Sequence, residues 1–190
     1  MRTERRGPAA SGRVRIIGGS LRNSRLQVPP LEGLRPTPER VRETLFDWLA
    51  PVIAGAHCLD LCAGTGALGI EALSRGAAEV RFVERDARAA QALRANLARL
   101  GTANGEVVLA DARDYLRGAP RRHDIAFLDP PFDLGLWAEL ARQLEAGGWL
   151  AAGALVYVES PEQVAPDVPA GWQVHRQGKA GAVRYALYRT

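Results

Sequence analysis

Residues 57–69 read HCLDLCAGTGALG: an apolar run that closes on an acid, a glycine-rich turn, and the first residues of an apolar helical segment. The pattern is strand, turn, helix, and it sets the grammar of everything that follows it. Helical spacing continues through LGIEALSRG (68–76), and then come EVRFVER (79–85), ARAAQALRANLARLG (87–101), EVVLA (106–110), ARDYLRG (112–118), HDIAFLD (123–129), LWAELARQLEAGG (136–148) and ALVYVES (154–160). Five strands with four intervening helices require a parallel sheet covered on both faces. After Pro166 and Pro169 the stretches WQVHRQGKAG and AVRYALYRT leave no room for a helix between them, so they pair as an antiparallel hairpin at Gly178 and Gly181. The expectation is an α/β fold with a seven-stranded sheet whose last strand is reversed.

Upstream of His57 the chain changes character. RVRIIGG (13–19) and SRLQVP (24–29) read as two short strands around GSLRN, a basic hairpin. RVRETLFDWL then carries Val41, Leu45, Phe46, Trp48 and Leu49 at helical spacing. Thr37 is expected to cap this helix, with Pro38 at its first position and an end before Pro51. Three segments follow: a disordered basic leader over 1–12, a hairpin and helix over 13–50 that faces a polyanion, and a catalytic domain over 51–190.

Composition narrows the class. With 47% hydrophobic and 24% charged residues in 190, the chain is an ordinary globular one, neither disordered nor fibrous. Of 25 basic residues only Lys179 is a lysine. Ten arginines and three acids fall in residues 1–42, a local charge of +7, while the remainder carries −3. A field of that sign at one end fits nucleic acid. The opening MRTERRGPAASG lacks the apolar segment of a signal peptide and no run of 18 apolar residues exists, so a cytoplasmic location without membrane contact is expected. Cys58 and Cys62 read as buried thiols, His57, His123 and His175 are scattered, and no metal site is expected.

The glycine-rich loop opens the chemistry. Gly64 and Gly66 allow a ligand to approach the backbone, and the helix beyond them offers free amides. With Gly69 the spacing formally matches a nicotinamide fingerprint, but Asp60 at the strand end would oppose a pyrophosphate and would welcome an ammonium. Glu84 ends the next strand, where an acid accepts both hydroxyls of a ribose, and Asp111 follows the third, placed to bond an adenine amine, to cap the next helix, or both. Together they select a nucleoside cofactor with a cationic end. Asp129, Pro130, Pro131 and Phe132 follow the strand IAFL. Asp129 and the Pro130 carbonyl accept hydrogen bonds from an exocyclic amine while Phe132 offers a ring face, an arrangement suited to methylating the amine of a flipped base.

These residues resemble the class I S-adenosylmethionine-dependent methyltransferases, and more closely the bacterial family that methylates N2 of guanine 966 in 16S ribosomal RNA. RIIGG (15–19), LRPTPERVRETLF (34–46), CLDLCAGTGALG (58–69), FLDPPF (127–132) and YVES (157–160) carry the resemblance. It departs at RNSR (22–25), where a familiar form reads R-G-R-K. The resemblance implies a Rossmann-like sheet and S-adenosyl-L-methionine held by Asp60, Cys62, Ala63, Gly64, Gly66, Glu84, Arg85, Asp111, Ala112 and Asp129. It also implies a guanine received by Asp129 to Phe132, and a substrate surface formed by Arg15, Arg22, Arg25, Arg35, Thr37, Arg40 and Arg42. The expected partner is 16S rRNA in the 30S subunit or an assembly intermediate, with neighbouring ribosomal proteins, met by a monomer. A DNA adenine or transfer RNA methyltransferase, and a non-catalytic RNA-binding module of ribosome assembly, are the alternatives.

Overall fold

A computed structural model describes residues 13–31 and 36–190; the leader and Arg35 lie outside the described residues. Its elements are β1 (Arg13–Arg15), β2 (Arg25–Gln27), α1 (Glu39–Leu49), β3 (His57–Asp60), α2 (Ala67–Ser74), β4 (Glu79–Glu84), α3 (Ala87–Leu100), β5 (Gly105–Leu109), α4 (Ala112–Leu116), β6 (His123–Leu128), a 3₁₀ turn (Phe132–Leu134), α5 (Trp137–Ala146), β7 (Leu150–Pro161), β8 (Gln173–Ala180) and β9 (Val183–Arg189). The large sheet has seven strands in the order β5-β4-β3-β6-β7-β9-β8. β3 pairs in parallel with both β4 and β6, and β9 runs antiparallel between β7 and β8. Strand order therefore reverses between β3 and β6, and such a switch opens a crevice at the carboxyl ends of the strands.

Two apolar layers flank the sheet. One joins the hairpin and α1 to α2 and α3 through Val14, Ile16, Leu26, Phe46, Ile70, Phe82 and Phe127. The other holds α4 and α5 through Leu116, Leu140, Trp149 and Val156. Residues 13–50 thus share a core with the sheet rather than forming one of their own. At Gly69 a Cβ would come within 2.1 Å of the Phe82 ring, so this glycine lets α2 lie close on β4.

The start of α1 differs from the expectation. The helix begins at Glu39, with Pro38 in the preceding, non-helical position, and no side chain caps it. Thr37 instead donates its hydroxyl to the part-buried Asp129 Oδ2 at 3.4 Å, a contact that draws the side chain toward β6, and its oxygen accepts no amide of α1. The hairpin ladder is also shorter than its apolar pattern, three residues on each side, and its turn includes Asn23 in the left-handed region at φ 68°.

Candidate active site

Four acids stand at or just past the carboxyl ends of β3, β4, β5 and β6. Asp60 closes β3, only 3% exposed, and its Oδ2 accepts the Gly69 amide at 3.0 Å. Burial pushes this carboxyl up to about 7; the Gly69 amide opposes the rise and the nearby Glu84 adds to it. Glu84 closes β4 and bonds the cofactor loop itself, Oε2 accepting the Gly64 amide and Oε1 the Asp86 amide, each at 2.7 Å. Gly66 ends that loop at φ 75°, where a Cβ would stand 2.3 Å from Leu93 Cδ1, so loop conformation and helix packing both demand glycine there.

Asp111 caps α4, accepting the Arg113 amide at 3.0 Å. Arg113 also forks onto it from Nε and Nη2 at 2.9 and 3.1 Å, and holds the carboxyl below the usual carboxylate range. Ala63 and Ala112 are buried, Cys62 is half-buried, and Arg85 is exposed beside Glu84. Burial raises both cysteine thiols, so neither is an activated nucleophile.

Asp129 follows β6, with Pro130 buried behind it and Phe132 39% exposed at the crevice mouth, its ring 5.9 Å from that of Trp137. Burial holds Asp129 well above the ordinary range, Glu159 and Asp60 push the same way, and the Thr37 hydroxyl pulls against them. Glu159 on β7 is buried, accepts the Tyr157 hydroxyl at 2.9 Å, and has its own carbonyl bonded by Trp137 Nε1 at 2.8 Å. YVES was informative in sequence only as a family motif. The signal for Glu159 was positional: it is the acid that follows an apolar strand at the level of Asp129.

The arginines divide. Arg15, Arg22, Arg25 and Arg40 are exposed, Arg15 being ion-paired with Glu39. Arg42 is a correction: at 2% exposure it cannot reach a phosphate. Its Nε donates to the Thr37 carbonyl at 3.2 Å, Nη2 to the Arg15 carbonyl at 3.0 Å, and Nη1 lies 3.5 Å from Glu71. Glu71, fully buried on α2, accepts the Ile17 and Gly18 amides at 2.9 and 2.8 Å and Arg75 Nε at 2.9 Å. Neither the alternation of apolar residues nor the charge count distinguishes this interior arginine from its exposed neighbours.

The acids fit the cofactor expected at this crevice. Asp60 is a buried carboxylate bonded by one amide, with no ion pair among the described residues, and it complements a cationic group; Glu84 faces the loop where a diol would lie. The family described as conserved hypothetical protein 95 matches residues 14–189. The Escherichia coli K12 protein named ribosomal RNA small subunit methyltransferase D is 52% identical over 182 residues, 95% of this chain and 92% of the relative. The chain belongs to the small subunit methyltransferase D family. The Haemophilus influenzae protein of that name is 41% identical over 186 residues, 96% of each chain. The solved structure of Escherichia coli yhhF superposes with a TM-score of 0.87 at 52% identity, covering 94% of this chain and 98% of that one. As a methyltransferase D relative this chain is an S-adenosylmethionine-dependent methyltransferase, and its sheet and N-terminal hairpin are those of the family.

Proposed function

We propose that this chain transfers a methyl group from S-adenosylmethionine to the N2 amine of guanine 966 in 16S rRNA, acting on the 30S subunit or an assembly intermediate. The observation that carries the reading is the placement of Asp129 to Phe132 at the carboxyl end of β6, across the switch point from Asp60. Likeness to the methyltransferase D proteins over nearly the whole chain supports it. The cofactor supplies an electrophilic methyl group on a sulfonium.

The protein's part is alignment and charge. An exocyclic amine is a poor nucleophile because its lone pair is delocalised into the ring, so it must be held in line. Asp129 and the Pro130 carbonyl accept its two hydrogens, and Phe132 stacks the base. Asp60 receives the ammonium end of the cofactor, Glu84 the ribose, and Asp111 with the Ala112 amide the adenine. Exposed Arg15, Arg22, Arg25 and Arg40 supply phosphate contacts. Arg42 is reassigned to holding Thr37, and through it Asp129. The test is methylation of 30S particles from a strain lacking the enzyme, followed by mapping of the modified base. A mark at guanine N2 in 16S rRNA is the expected result, and methylation only of transfer RNA or DNA overturns it.

A further inference from the structure

Asp129 and Glu159 follow Leu128 and Val158, the last paired residues of β6 and β7, so the two acids stand side by side across neighbouring parallel strands. Strands in such a pair lie about 4.8 Å apart. The groups that face them are uncharged or acidic: the Thr37 hydroxyl from the segment before α1, the Cys62 thiol from the loop after β3, Tyr157 on β7, Tyr185 opposite Glu159 on β9, and Asp60 from β3. Among the described residues no arginine, lysine or histidine forms an ion pair with either carboxyl. Burial pushes Glu159 up as well, but the Tyr157 and Thr37 hydroxyls oppose that rise, so Glu159 ionises before Asp129 and its charge then falls on Asp129.

We propose that Glu159 is a positioning residue for the methyl transfer, a second carboxyl that acts through Asp129 by making it a stronger proton acceptor for the guanine amine. The proposal rests on the guanine-N2 reading above. The amine nitrogen gives its lone pair to the methyl carbon as the carbon–sulfur bond breaks with its electrons going to sulfur, and the nitrogen is left with one proton too many. Asp129 takes that proton and later yields it to water. A neighbouring negative charge disfavours the ionised form of Asp129 and so raises its affinity for that proton as the nitrogen sheds it.

Single-turnover methylation of unmethylated 30S particles across pH 5.5–8.5 tests this, paired with a carboxyl NMR titration of Asp129 in the protein alone. Glu159→Gln keeps the shape and the acceptor for Tyr157 but removes the charge. The acid limb of the rate profile and the Asp129 midpoint should both move down by about one pH unit. A midpoint that stays, or moves up, overturns the proposal. Should Glu159→Gln fail to fold, Tyr157→Phe withdraws the hydroxyl that favours the Glu159 charge, and should move the same midpoint down by less; no movement there is equally decisive. Asp129→Ala separates the two ideas. Activity retained in it removes the role of Asp129, whereas its inactivity beside an unshifted Glu159→Gln removes only that of Glu159.

Discussion

The two halves of the crevice treat their carboxylates in opposite ways. On the β4 and β5 side Glu84 and Asp111 accept backbone amides, and the Arg113 fork also grips Asp111, so both carboxyls are fixed in place. On the β6 and β7 side Asp129 and Glu159 have hydroxyls for partners and are held toward their protonated forms. Asp60 stands between, with one amide. On the proposed reading the difference separates binding from chemistry: fixed carboxyls recognise the cofactor, whereas poised ones exchange a proton.

The sharpest break of that comparison is Asp129→Ala. It should lower the methyl-transfer rate on the order of 10²–10⁴-fold while leaving cofactor affinity in calorimetry near that of the wild type. A matched loss of cofactor affinity would merge the two halves. Arg42→Ala should cost about 3 kcal/mol in urea unfolding, because it leaves Glu71 short of a buried partner and frees the Thr37 carbonyl. Exposed Arg40→Ala should leave stability unchanged and reduce the salt slope of RNA binding by about one.

Glu84→Ala belongs to the fixed half, and should weaken cofactor binding about tenfold in calorimetry with little change in the rate at saturation. The last test is a pH dependence at Asp60. Its carboxyl sits near 7 in the cofactor-free protein and lower once a cation binds, so cofactor affinity should rise between pH 5.5 and 7, then level off. Without cofactor the folded state retains a proton that the unfolded chain loses near pH 4, so stability should fall as pH rises toward 7. Asp60→Asn should flatten both curves; a curve unchanged by that substitution assigns the titration elsewhere.

The parallel half of the fold was legible because each strand from His57 onward is a short apolar run closed by an acid or a turn, and each helix has its own period. The strand-end acids are legible for the same reason: Asp60 and Glu84 close their strands, Asp129 follows its strand by one residue and Asp111 by two. A threonine before Pro-Glu is locally cap-like, so Thr37 reads as a cap in sequence, and local chemistry cannot register the carboxylate that follows β6. Arg42 and Glu159 escaped for a related reason. Their roles depend on partners brought up by tertiary packing, and the residue types alone favour the surface.

Glu71 carries a consequence for the modularity of the molecule. Three of the groups that bond its carboxylate, the Ile17 and Gly18 amides and Arg42, come from the arginine-rich N-terminal part, and Arg75 comes from the end of its own helix. That helix begins at the cofactor loop. A cut made near residue 50 to isolate the sheet would leave this buried anion with Arg75 as its remaining partner among those donors, and a foreign arm grafted there would have to present the same amides and guanidinium. The N-terminal arm and the helix that opens at the glycine-rich loop are therefore interlocked parts, exchangeable between relatives only as one piece.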